Sequence, residues 1–226
     1  WWKEREDESL NQHERQLLLL QLRELGHECQ VRYHKISTPA EGEELERKLA
    51  NAFAKDGVTA FVFNFVDLLT HSRSESSIVY EVAKDEVALR RLTRQWFERS
   101  ALLAVLKEAA RRGLTVVLTS DHGSILCQTP ATVFARRDAT QNLRYKFGED
   151  LRAERPEQGL LFTNSDVLKL PRRGLGKHTL LAAGDCYFVY PTKLREYQGR
   201  YRGGFFHGGV SPEEMVLPLV RLVPRR

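Results

Sequence analysis

Five side chains of the kinds that hold divalent cations fall into three groups in this sequence. Asp67 and His71 stand four positions apart in Asp67-Leu68-Leu69-Thr70-His71. Where the chain turns helical, a carboxylate and an imidazole at that spacing share one face. Asp121-His122-Gly123 sets the same two types side by side, and a turn beginning at the glycine lets both converge on one site. His207-Gly208-Gly209 adds a third imidazole beside two glycines that allow close backbone approach. Two carboxylates and three imidazoles suit zinc, or manganese where water fills the remaining positions. Two such ions about 4 Å apart clamp the attacking and leaving oxygens of a phosphoryl transfer. Singly, each group has a plainer reading: His71 as a surface histidine, Asp67 as a helix N-cap, Asp121-His122-Gly123 as a turn. Together and in this order, they read as one site for a pair of cations. His13, His27, His34 and His178 have no acidic partner at ligand spacing and read as structural.

An α/β framework must position them. Leucines at mostly helical spacing predict a helix over 9–25, stopped by Gly26. A strand over 29–36 and a helix over 40–55 follow, and Asp56-Gly57 turns the chain. The run 58–66 is rich in β-branched and aromatic residues and reads as a strand buried on both faces. A long helical region over 75–99, a helix over 101–112 and a buried strand over 114–120 come next. The alternation predicts a parallel sheet with helical crossovers. Ligands in such sheets sit beyond the carboxyl ends of the strands. Asp67 and Asp121 each follow a predicted strand, which puts both at one sheet edge. Beyond Gly123 the pattern weakens: 141–176 reads mostly as loop with short strands, and 180–190 and 215–223 as strands. Pro218 puts the last of these near an edge.

Composition narrows the class. The 226 residues suit one domain, with 42% hydrophobic and 29% charged residues as in a globular protein. The longest largely apolar run, 60–66, is far too short to span a bilayer, and the charged start has no signal-peptide apolar region. Three widely spaced cysteines (Cys29, Cys127, Cys186) argue against a disulfide framework and suit a reducing cytoplasm. A net charge of +5 mildly favours anionic ligands such as phosphates. A nucleic-acid-binding module is permitted by that charge, but no basic stripe interleaved with aromatics supports it. The chain begins at Trp1 and its only methionine is Met215, so it reads as a piece of a longer protein.

At the residues singled out, the sequence resembles a known family. The order Asp-x-x-x-His, then Asp-His, then a late His is the metal-ligand order of the alkaline phosphatase superfamily. More narrowly, FNFVDLLTHSR (63–73), LTSDHGS (118–124), NLRYK (142–146) and HGGVSPEEMVLPLV (207–220) resemble the PglZ domain. Within it the sequence is most similar to PorX-type response regulators, which join a receiver domain, a helical segment and a PglZ effector. The likeness runs from about Arg32 to Leu222.

The resemblance implies a three-layer α/β/α alkaline-phosphatase-like fold with a mostly parallel central sheet, incomplete at its N-terminus. It implies that Asp67, His71 and His207 hold one Zn2+, and that Asp121 and His122 hold a second, Mn2+ being an alternative. Asn142, Arg144 and Lys146 would lie near the substrate, Arg144 gripping phosphate oxygens by a bidentate fork. For Lys146 a basic residue on an exposed loop reads equally well. The family's Thr or Ser nucleophile and its neighbouring Asp ligand match nothing before Asp67. They are expected upstream of Trp1 with the receiver domain, leaving residues 1–226 as the C-terminal part of a PglZ domain that does not turn over alone. The implied activity is a phosphodiesterase or phosphatase, acting on oligonucleotides or cyclic nucleotides. The competing reading is a signalling output that binds a protein partner, such as a sigma factor in control of type IX secretion, or a second copy of itself.

Overall fold

Local sequence signals set most element boundaries in the computed structural model, which describes residues 13–73, 76–136, 139–140, 142–164, 167 and 176–225. Among these the helices are α1 (Glu14–Glu24), α2 (Pro39–Arg47), α3 (Phe65–Arg73), α4 (Ser77–Val82), α5 (Glu86–Glu98), α6 (Ala101–Arg111), α7 (Leu194–Tyr201) and α8 (Pro212–Met215). The strands are β1 (Gln30–Ile36), β2 (Gly57–Phe63), β3 (Val116–Thr119), β4 (Ile125–Cys127), β5 (Thr129–Phe134) and β6 (Tyr145–Gly148). They continue with β7 (Arg152–Ala153), β8 (Gly159–Phe162), β9 (His178–Ala182), β10 (Cys186–Val189), β11 (Gly204–Phe206) and β12 (Leu219–Leu222).

The chain divides into two compact units, one of residues 1–66, 95–115 and 223–226, the other of residues 67–94 and 116–222. In the first, β1 and β2 pair in parallel, from Gln30 opposite Gly57 to Ile36 opposite Phe63. α2 starts where Thr38 accepts the Glu41 N–H and the Glu41 carboxylate accepts the Thr38 N–H, a reciprocal capping box ahead of Pro39. α6 buries Ala101, Val105 and Ala109, a four-residue repeat that makes one apolar face.

The second unit holds every candidate ligand. Its sheets are small: β10-β5-β7, β6-β9-β8, β11-β4 and β12-β3. β10 is buried throughout. Cys186 and Phe188 pack with Ala131, Val133 and Leu180, while Tyr187 and Val189 pack with Ile125, Cys127 and Phe206. One strand therefore contributes to two apolar clusters, as period-two alternation requires of a strand covered on both faces.

Several expectations are corrected. A mostly parallel central sheet is not what forms among the described residues: β1–β2 and β5–β10 are parallel, the other pairings antiparallel. Apolar runs specify a strand but not its direction, and β12 lies antiparallel to β3 in two-stranded pairing. The double burial expected of 58–66 and 114–120 also differs. β2 is partly exposed and β3 largely so, because each has one hydrogen-bonded neighbour in a two-stranded sheet. The helical region expected over 75–99 is two helices, separated where the Asp85 carboxylate accepts the Ala88 N–H and restarts the chain as α5. The strand expected over 180–190 is β9 and β10, with Gly184 at φ +51° in the turn between them. The strand expected over 215–223 shortens to β12, which begins immediately after Pro218. Residues 9–12 of the first predicted helix, and much of 165–175, lie outside the described residues.

The thiols give a direct check on this packing. Cys29 is exposed, whereas Cys127 and Cys186 are buried, and burial pushes the Cys127 thiol up to about 12. A disulfide-exchange reagent at pH 8 is expected to modify Cys29 quickly and the other two only after denaturation. Rapid reaction of a second thiol in the native protein would contradict the buried β4–β10 core.

Candidate metal centre

Asp67 lies in the first turn of α3, where a negative side chain is favoured, and His71 follows one turn later on the same face. Their Oδ1 and Nε2 atoms are 3.3 Å apart. His122 sits in the turn between β3 and β4. That turn requires glycine next: a Cβ at residue 123 would lie 1.9 Å from the Glu213 carbonyl oxygen. The Gly123 N–H donates to the Glu214 carbonyl at 3.0 Å. His207 follows β11, and Gly208 turns the chain at φ +103°, a conformation glycine adopts freely.

Three imidazoles thereby surround one carboxylate oxygen. From Asp67 Oδ1 the Nε2 atoms of His71, His207 and His122 lie 3.3, 3.7 and 4.0 Å away. His207 and His71 approach Nε2 to Nε2 at 3.3 Å, and the His122 and His207 rings stack at 3.9 Å. Ligand atoms of Asp67, His122 and His207 all fall within 4.8 Å of one another. Tetrahedral bonds of about 2.0–2.1 Å to nitrogen and oxygen hold ligand atoms about 3.3–3.4 Å apart. The cluster is already at or slightly beyond that spacing.

The electrostatics suit a cation. Asp67 Oδ1 is sealed from solvent and accepts no hydrogen bond of good geometry, an arrangement that is costly without compensation. His71 holds the Asp67 carboxyl below the usual carboxylate range against the opposing effect of burial, so it is anionic. Burial, and then the neighbouring His122, push His207 below the ordinary imidazole value, leaving a neutral ring with a lone pair to give. His122 Nδ1 lies 3.1 Å from the Gly123 carbonyl, which can only accept. The proton therefore resides on Nδ1, and the Nε2 lone pair faces the cluster, the carbonyl-oriented arrangement common among metal-binding histidines. A Zn2+-type ion fits this donor set.

Ligands expected at two different ions stand close together here. His122 joins Asp67 and His207, whereas Asp121 is 91% exposed, its Oδ2 3.8 Å from His122 Nε2. The residues expected at the substrate, Asn142, Arg144 and Lys146, lie in and just before β6. Arg144 and Lys146 are completely buried. Arg144 donates Nε and Nη2 to the two oxygens of Glu214, at 2.9 and 2.5 Å, and Nη1 to the Cys186 carbonyl. Lys146 donates to the Thr140 carbonyl at 2.8 Å and lies over the Tyr190 ring. Asn142 Oδ1 accepts the Arg144 and Tyr145 N–H groups. These side chains make hydrogen bonds within the fold. Sequence reasoning missed Glu214, although Ser211-Pro212-Glu213-Glu214 has the S-x-x-E form of a capping box that could have flagged it.

The mixed α/β chain gathers an aspartate and histidines from strand ends and a helix start, a donor set of the kind that holds divalent cations. The family model of the BREX system PglZ alkaline phosphatase-like domain matches residues 4–222, and the chain belongs to that family. No curated protein matches it.

The geometry predicts a graded response to ligand removal, read by titrating Co2+ against its visible absorption. Asp67→Ala should abolish tight binding, and His207→Ala should weaken it by more than the ~10-fold lower bound for outer-shell partners. Asp121→Ala should leave the first equivalent in place. An equal loss for Asp121→Ala would put that carboxylate in the inner cluster instead.

Proposed function

We propose that this domain is a metal-dependent phosphoester hydrolase, and the observation that carries the proposal is the convergence of Asp67, His122 and His207 within 4.8 Å. Membership of an alkaline phosphatase-like family supports the same reaction class. Zn2+ or Mn2+ held here would supply Lewis-acid polarisation of a phosphoryl oxygen. Asp67 contributes the anionic charge that favours a divalent ion over a proton. His122 is held in one tautomer by the Gly123 carbonyl, and His207 is kept neutral by burial. His71, exposed, stands 3.3 Å from both Asp67 Oδ1 and His207 Nε2. Asp121, exposed beside His122, would contribute its carboxylate to a second ion.

The finer reading is phosphodiester hydrolysis by an effector domain, with an oligonucleotide or cyclic nucleotide as substrate and a hydroxyl nucleophile from another segment. It rests on the resemblance of 142–146 and 207–220 to PorX-type effectors.

The test is turnover of bis-nitrophenyl and mono-nitrophenyl phosphate by the full-length natural polypeptide, before and after chelation and with Zn2+ or Mn2+ restored. Activity is expected to vanish on chelation, return with metal, and fall at least ~100-fold in Asp67→Ala, beyond what an outer-shell change produces. Absence of turnover by the metal-loaded full-length protein on both ester classes would overturn the hydrolase reading.

A further inference from the structure

Glu214 stands outside the cluster, yet it touches the turns that carry two of the histidines. Its side chain is 2% exposed and forms a bidentate pair with the fully buried Arg144. Five donors converge on one carboxylate: Arg144 Nε and Nη2, the Gly209 N–H at 2.9 Å, and the Ser211 N–H and hydroxyl at 3.0 and 2.7 Å. Gly209 is two residues past His207. The main chain of the same residue reaches the other histidine, because the Glu214 carbonyl accepts the N–H of Gly123, the residue after His122.

Steric constraints reinforce both links. A Cβ at Gly209 would lie 2.5 Å from Arg144 Nη2, so the turn rests directly on the guanidinium. A Cβ at Gly123 would overlap the Glu213 carbonyl. Neither turn can lift away without breaking hydrogen bonds to Glu214. A capping box on the four-residue α8 needs only the contacts with Ser211. The Arg144, Gly209 and Gly123 bonds exceed that role. Buried ion pairs contribute little to net stability because desolvation offsets their attraction, and their better-attested use is to fix one geometry among several.

We infer that Glu214, clamped by Arg144, is a positioning residue that sets the separation of His122 and His207, and so the affinity and geometry of the metal centre. Arg144 acts through Glu214 rather than on a substrate phosphate. The inference deepens the metal-site reading and rests on it.

Co2+ binding to the full chain tests it, with affinity and the visible absorption spectrum as readouts that do not depend on turnover. Glu214→Gln keeps the shape and an acceptor but removes the charge that holds Arg144. It should weaken Co2+ binding by about 10–100-fold, the range for outer-shell partners, and alter the absorption bands. Ser211→Ala, which removes one of the five donors, should give a smaller loss in the same direction and covers the case in which Glu214→Gln does not fold. Val133→Ala, a core truncation in β5 chosen to match the drop in melting temperature, should leave Co2+ affinity unchanged. Wild-type affinity in folded Glu214→Gln, or in Ser211→Ala where Glu214→Gln does not fold, would overturn the positioning role. An equal loss in Val133→Ala would overturn it too. Failure of the wild-type protein to bind Co2+ would instead sink the metal-site reading itself.

Discussion

An ionised carboxylate oxygen withdrawn from water, with three imidazole nitrogens within 4.0 Å, is the arrangement on which the site depends. Asp67 Oδ1 accepts no well-formed hydrogen bond in that position. Its negative charge is tolerated because neighbouring rings can respond to it, and because a divalent ion would be drawn to the same point. Each histidine arrives by a separate route. His71 is carried by helical spacing, His122 by a turn after β3, and His207 by a turn after β11. The convergence requires all three routes to be held to within a fraction of a bond length of a ligand-compatible spacing.

The second unit supplies that accuracy through contacts well away from the cluster. β10 is buried on both sides and anchors Arg144 through the Cys186 carbonyl. Arg144 holds Glu214, and Glu214 holds the glycine-bearing turns. Arg73, at the end of α3, is buried against Tyr80 and Phe205 and donates to the carbonyls of Ala83 and Lys84. Phe205 lies in β11, two residues before His207, so this guanidinium ties the helix of Asp67 and His71 to the strand that delivers His207. Among the described residues, the unit has two buried arginines with a common architectural use: many donors in a rigid plane joining segments distant in sequence.

Much of the site was legible because its signals are local. Asp67 and His71 are one helical turn apart, and the four-residue spacing states this without tertiary information. Asp121-His122-Gly123 and His207-Gly208-Gly209 announce turns through their glycines. The roles of Arg144 and Lys146 were not legible. A charged residue in a polar stretch is expected at the surface, and the partner that draws Arg144 inward lies 70 positions away at Glu214. Spacing cannot reveal a pair so separated. Strand direction was hidden for a similar reason, since the run 116–119 has the same side-chain pattern whether its neighbour is parallel or antiparallel. Helix ends fared well where a cap was present, as at Thr38, and poorly at Asp85, whose capping carboxylate was read as part of a continuous helix.

The crowding at Gly123 bears on how short sequence signatures are interpreted. Asp121 and His122 bring side chains of the kinds that can bind a cation, whereas the third letter is constrained by a carbonyl group 90 positions further along the chain. A pattern of three adjacent letters thus combines two physical constraints of different origin. Drift at residue 123 is blocked by the path of the main chain at Glu213, so a change in that distant loop could free the glycine while leaving the ligands intact. Relatives lacking the glycine would then be recognised by an altered 212–215 segment rather than dismissed as having lost their chemistry.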